Sequence, residues 1–403
     1  MAARAGSARR VLDLSAVRHQ INTMVADQAG GGTAAFDTRV QSAVAELQRW
    51  STNWAALQQR IDCSRTPWLV PRMVSGPLAQ GTEAPGRPTK ISVAATDGSQ
   101  IFPDRHEISP CYLLNIGYVL LHYGTDERPL LSSRPSLYWR DDDLYPQWGG
   151  RRTAVNRDLV GFRRSLLELT ELAELAAASQ AAGHATVALT DGTLVFWGLD
   201  GRPPDFRQAG LAALVSTFDL LASRRIPIAG YISRPGSSDV VNALRVGICP
   251  VEGGADCDRC PWLGQVPPCA PVEGVSDAVL FRRVLQRGQR SALFESTSRV
   301  LEEYGTHQVF FFYVNAGDEV GRVEIPRYVA EDEALLNLVH ATIVDQAAKG
   351  GGYPVSLTEA HERAVVRGTE REGFYRHLEE VFVRNDIGAR VSRKSLRKRS
   401  AGV

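Results

Sequence analysis

The chain has no long hydrophobic run. Its apolar stretches, such as residues 309–314, fall far short of the ~20 residues that a membrane-spanning helix needs, and the Arg-bearing N-terminus lacks the apolar core of a secretory signal. A soluble, intracellular, cytoplasmic protein is expected. An excess of one charge is also missing: 46 Lys and Arg against 45 Asp and Glu leave a net +1, so no global field points to nucleic acid. No repeat of solenoid period is evident. A Walker lysine motif, a Gly-x-Ser-x-Gly elbow and a His-Glu-x-x-His helix are absent too, which removes the commonest ATPase, serine hydrolase and zincin readings.

What charge there is lies unevenly. Residues 390–399 carry six cations without an acid, and Arg4, Arg9 and Arg10 mark the other end. Such tails are usually solvated, and a phosphate-backbone contact is the sharper alternative. At 403 residues the chain can bury a sizeable core, as one large domain with additions or as two domains. Residues 10–62 have helical spacing, broken at Gly30, Gly31 and Gly32, and residues 75–90 are a Gly- and Pro-rich linker. Strand and helix patterns then alternate, with a helix predicted over 158–182 between strands at 91 onward and at 186–191. The division expected is a helical extension and linker over 1–90, one mixed α/β domain over 91–365, and a C-terminal helix with a basic tail over 366–403.

Two segments share an ending. Residues 92–99 read SVAATDGS and residues 186–193 read TVALTDGT, each a small apolar run ending in Asp, Gly and a hydroxyl residue. A carboxylate at the C-terminal edge of a buried strand is where open α/β sheets place chemistry, and Asp97 and Asp191 on neighbouring strands would attract a divalent cation. Two ordinary Asp-Gly turns are the plain alternative. A third carboxylate can come from the preceding helix, where Glu168 and Glu171 lie one turn apart. Glu174 extends that row, as a merely solvated face would. Spacing does not decide between Glu168 and Glu171, although Arg164, one turn before Glu168, could pair with it.

A second cluster spans residues 352–363. Pro354 bars Tyr353 from helix, and Ser356 is a plausible cap for a helix carrying Glu359 and His361. A histidine there could ligate a metal, position an attacking water or protonate a leaving oxygen; a surface histidine is the plain alternative.

Both Asp-Gly strands, residues 230–235 (GYISRP), residues 322–326 (RVEIP), and Tyr353-Pro354 leading to Ala360-His361-Glu362-Arg363 occur in an order that resembles the NurA nuclease family over roughly residues 90–365. The resemblance implies an RNase H-like core, a ring-shaped homodimer and Mn²⁺- or Mg²⁺-dependent cleavage of DNA. The activity implied is 5'-3' exonuclease, single-strand endonuclease or both, with a hexameric HerA translocase as partner in resecting ends for double-strand break repair. It makes Asp97 and Asp191 metal ligands with a helical glutamate between them, and adds Tyr353 and His361. Arg234 could bind a DNA phosphate or serve as a salt-bridge partner. A non-catalytic DNA-end scaffold, or an RNase or transposase-like activity on the same core, are the competing readings.

Four of only six cysteines, Cys249, Cys257, Cys260 and Cys269, fall in one Pro- and Gly-containing stretch. In a reducing compartment such clustering suggests metal rather than disulfide. Structural Zn²⁺ and a [4Fe–4S] cluster both suit four Cys ligands, and a loop of free thiols is the alternative. Cys63 and Cys111 stand alone and are expected to be packed.

Overall fold

The computed structural model describes residues 14–27, 33–104 and 109–386. Both basic termini and the Gly30–Gly32 break therefore lie outside the described residues. The strands are β1 (Arg72–Met73), β2 (Ile91–Ile101), β3 (Tyr112–Tyr123), β4 (Leu130–Tyr138), β5 (Gln147–Trp148), β6 (Arg151–Arg152), β7 (Thr186–Asp191), β8 (Ile228–Ile232), β9 (Phe294–Glu295), β10 (Val309–Asn315) and β11 (Val320–Pro326). The helices are α1 (Leu14–Asp27), α2 (Thr33–Ser51), α3 (Trp54–Asp62), α4 (Asp141–Leu144), α5 (Arg157–Ala181), α6 (Pro204–Ser223), α7 (Asp239–Ile248), α8 (Asp277–Arg282), α9 (Arg327–Ala330), α10 (Glu333–Lys349), α11 (Val355–Ala364) and α12 (Gly368–Arg384). Among the described residues no helix is long and apolar enough to cross a membrane.

Nine strands form one mixed sheet in the order β1-β9-β10-β11-β8-β7-β2-β3-β4. One end of it is an antiparallel meander of β2, β3 and the edge strand β4, with β7 and β8 added parallel beyond β2, which is the RNase H-like arrangement. The remaining strands extend it antiparallel. Alternation along each strand sends side chains to opposite faces. Val93, Ala95, Val187 and Leu189 pack against α10 and α11 through Val339, Ile343, Leu357 and Ala360. Ala94 and Ala188 pack on the other face against Leu169, Leu172 and Ala176 of α5 and Phe218 of α6. Over the β9–β11 half that second face is covered by α2, α3, α7 and α8, with Leu47, Leu57, Leu244 and Phe281 against Phe311 and Tyr313. The helical extension thus shares a core with the sheet, and residues 72–73 supply its edge strand.

Local signals explain most boundaries. Asn156 caps α5 by accepting from the Leu159 N–H at 2.9 Å, and Asp332 caps α10 through the N–H groups of Ala334 and Leu335. Three expectations need correction. β2 does not end at the Asp-Gly step but runs on to Ile101 beside β3. Ser356 is not the cap of α11: Pro354 occupies that place, and the Gln346 side chain takes up the Ser356 N–H at 3.1 Å. Cys63 is exposed at the C-cap of α3, while Cys111 is buried. β4 went unread because an exposed edge strand with Ser132, Ser133, Arg134 and Pro135 carries no apolar alternation.

A buried polar knot joins the two halves of the sheet. Arg322 on β11 donates to Glu324 at 2.9 Å and to Asp239 of α7 at 2.7 Å, with its guanidinium 3.7 Å from the Phe311 ring centroid. Nearby, the wholly buried Asp277 accepts the N–H groups of Val240 and Val241, at 3.0 and 2.9 Å, and the Tyr313 hydroxyl at 2.8 Å. Removing it would strand three buried donors. Asp277→Ala should cost about 3 kcal/mol or more of folding stability, read from the urea midpoint; a loss under about 1 kcal/mol would show that the knot is dispensable.

Candidate active site

The parallel register of β2 and β7 sets Thr96 opposite Thr190. The next residues, Asp97 and Asp191, therefore stand side by side on the α10–α11 face. The two Asp-Gly steps do different work. Gly98 lies inside β2 with its missing side chain toward α5: a Cβ there would sit 2.3 Å from Glu168 Oε1 and 2.8 Å from Arg164 Cγ. Gly192 instead has φ +98°, a left-handed conformation that ends β7 and turns the chain.

Room at Gly98 lets Glu168 reach the aspartates from the opposite face. Its helix is held there by the Thr96 hydroxyl, which donates to the Glu168 carbonyl at 2.9 Å. Glu168 is buried, and burial raises its carboxyl to about 7; Arg164 opposes that shift, and Asp97 and Asp191 reinforce it. Arg164 Nε lies 2.9 Å from Glu168 Oε1, yet the contact lacks hydrogen-bond geometry, and Oε1 is buried without a hydrogen-bond partner. Glu171, one turn on, is drawn away to Arg134 of β4. The structure thus brings Glu168 to the aspartates and leaves Glu171 outside.

Asp97 accepts from its own neighbour, Gly98 N–H, at 2.7 Å, and from His361 Nδ1 at 2.7 Å. The imidazole is more than half exposed, so Nε2 is open to solvent. Asp191 sits exposed at its strand end. The surrounding protein still pushes its carboxyl above the ordinary range, while a hydrogen bond from the Tyr353 hydroxyl works the other way. Tyr353 is itself driven well above the phenol range by burial and by the Asp191 charge, so it stays a donor. Its ring meets Tyr231 edge-on at 5.5 Å, and Tyr231 donates to Glu319 at 2.9 Å.

Several supporting residues escaped the sequence reading. Gly117 of β3 is the register partner of Asp97, and a Cβ there would lie 2.4 Å from Ala364 N and 2.5 Å from Ala360 O. That bare spot lets the backbone of α11 lie on the sheet. Asn115 then donates to the Ala364 carbonyl at 2.8 Å and Ser99 to the same oxygen, which ties down the end of the helix that carries His361. Glu324, of the RVEIP segment, accepts from Thr193 Oγ1 at 2.6 Å and Leu194 N–H at 2.9 Å, which fixes the turn after Asp191. A Gly in an apolar strand was the visible signal for Gly117. Arg234, at φ +44°, stands 88% exposed, 3.8 Å from Glu319.

The residues suit divalent cations because two aspartates and the buried Glu168 act on one another closely enough to raise the Glu168 carboxyl, with the single guanidinium of Arg164 as the positive charge beside it. Among the described residues, the three-membered group whose ligand atoms all lie within 4.8 Å of one another is a different one, His122, Glu127 and His184. It sits toward the opposite end of the sheet, where His184 pairs with Glu127 at 2.9 Å and Ser92 Oγ contacts His122 Nδ1 at 2.7 Å.

Fold and site together define an RNase H-like α/β protein with an acidic centre at the C-terminal end of the parallel pair β2 and β7. The match of residues 91–366 to the NurA domain model places it further: the chain belongs to the NurA domain family. Among solved structures it is similar to the NurA nuclease from Sulfolobus solfataricus, at 14% identity over 76% of this chain and 88% of that one, TM-score 0.47. It is also similar to the catalytic domain of human Endonuclease V, at 12% identity over 74% of this chain and 92% of that one, TM-score 0.32. No curated protein matches it.

The close approach at Gly117 is testable alone. Gly117→Ala should push α11 off β3, cost about 1–3 kcal/mol in chemical denaturation, and loosen the His361–Asp97 contact, seen as a changed His361 imidazole signal in NMR. An unchanged midpoint and signal would refute that role.

Proposed function

We propose that the chain is a metal-dependent deoxyribonuclease that hydrolyses phosphodiester bonds at DNA ends or in single strands. The observation that carries this reading is the meeting of Asp97 and Asp191 with the buried Glu168, whose carboxyl both aspartates help to raise. Membership of the NurA domain family supports a nuclease function. Asp97, Glu168 and Asp191 would hold two Mn²⁺ or Mg²⁺ ions, which supply charge neutralisation at the phosphate and a more acidic water.

The chain's own residues do the rest. Asp97 orients His361 through Nδ1, so that Nε2 faces solvent and can take or give a proton. Tyr353 steadies Asp191 by donating to it. Arg234, with a left-handed backbone just past the end of β8 and an exposed side chain, would hold a DNA phosphate, or else serve as the salt-bridge partner of Glu319. The finer assignment rests on the family resemblance: 5'-3' resection, single-strand cleavage or both, a homodimer, and a HerA-type hexameric translocase as partner in break repair.

With Mn²⁺ and labelled single- and double-stranded DNA, wild type should cleave and Asp97→Ala, Asp191→Ala and Glu168→Gln should each lose at least about 100-fold. Glu171→Gln should stay within a few-fold. Equal activity in all variants would sink the assignment.

The raised Glu168 acid also sets a pH dependence. A cation needs the carboxylate, and at low pH a proton competes for it, so Mn²⁺ affinity should fall as pH drops below about 7. Calorimetric titrations at about pH 6 and pH 8 should show weaker binding at the lower pH with proton release, and both features should vanish in Glu168→Gln. Affinity that does not change with pH would contradict this.

A further inference from the structure

Between α7 and α8 the chain runs through residues 249–276 with one short 3₁₀ turn, Ala270–Val272, as its sole regular element. A loop this long inside a packed domain needs something to hold it. Backbone bonds tie it to the segment just past the end of α3: Arg65 N–H donates to Ala255 at 2.7 Å, Cys257 N–H to Arg65 at 3.0 Å, and Arg60 of α3 itself reaches the Cys249 carbonyl. Its interior is small, and four thiols sit there among apolar side chains.

Cys249, Cys257, Cys260 and Cys269 all line one cavity, walled by Trp68, Trp262 and four prolines. None is in a disulfide. The Cys257 thiol is pushed up by burial and then by Cys269, with Arg245 opposing and Cys249 and Cys260 adding to the rise. Arg245 stands over the Trp68 ring at 4.0 Å, only 13% exposed, and its Nε is buried without a hydrogen-bond partner. Its guanidinium lies 3.6 Å from Glu273 and also acts on the Cys257 thiol, so it sets positive charge beside the four thiols.

Spacing separates the two metal chemistries that suit four thiolates. A single Zn²⁺ at about 2.3 Å from each sulfur gathers its ligands to about 3.8 Å apart. Among the described residues no three of these thiols form a group within 4.8 Å of one another. In a cubane cluster each thiolate takes its own iron, so the ligands stand wider around a shared volume. We propose that Cys249, Cys257, Cys260 and Cys269 hold a [4Fe–4S] cluster that fastens the 249–276 loop to the N-terminal helices. The centre is separate from the acidic site, and its test does not depend on nuclease activity.

The full chain, purified without oxygen, should carry about four irons and four sulfides per molecule, with a broad absorbance band near 400 nm that reduction bleaches. Cys257→Ser with Cys260→Ser should lose the iron, whereas Cys63→Ser, at the exposed C-terminal end of α3, should keep it. Stripping the iron from wild type should speed proteolytic cutting within 249–276 by about tenfold or more. One zinc and no iron per chain, or no metal in the wild type, would overturn the proposal, and the wild-type assay stands even if the double variant fails to fold.

Discussion

A single parallel register carries the centre of this molecule. With Thr96 set against Thr190, two aspartates become neighbours at the end of one strand pair. Repulsion between them is a standing cost, offset in part by His361 on Asp97 and by the Tyr353 hydroxyl on Asp191. The groups around the pair are admitted by leaving side chains out. Gly98 opens one face to a helix bearing the third carboxylate, and Gly117 opens the other to a helix bearing the histidine. The site is thus defined as much by two missing Cβ atoms as by the groups that ionise.

The remaining strands act as a frame. Arg322 and Glu324 sit in the core of β11, and their bonds run outward to α7 on one side and to the turn after Asp191 on the other. A buried ion pair is weak ground for stability on its own. Here its value is directional, since Glu324 has both oxygens engaged and so holds the backbone that presents Asp191. Tyr231, Tyr353 and Glu319 continue the same support across β8 and the β10–β11 turn.

Much of this was legible in the chain. The apolar runs ending in Asp97 and Asp191, the helix between them and the Tyr353–His361 segment all carry local signals, because buried strands and capped helices need particular residue types. The choice between Glu168 and Glu171 was not, since both lie on one helical stripe; it turns on Arg134, which comes from an edge strand with no apolar pattern. Gly117 was visible as a residue but not as a role, because a close backbone approach depends on a helix that arrives from far along the chain. Likewise, the cysteine pattern allowed zinc as the first reading and an iron–sulfur cluster as the second, because spacing along the chain does not fix how far apart the thiols stand in space.

His361 meets Asp97 across 264 residues, and Ser99 meets Ala364 across 265. Contacts this distant along the chain close late, after the entropy of a very long loop has been overcome. During synthesis Asp97, Glu168 and Asp191 emerge first, and the helix that completes them arrives near the end of the domain. A truncated or half-made chain therefore presents carboxylates without their histidine, and the complete centre exists only in a molecule that has finished folding.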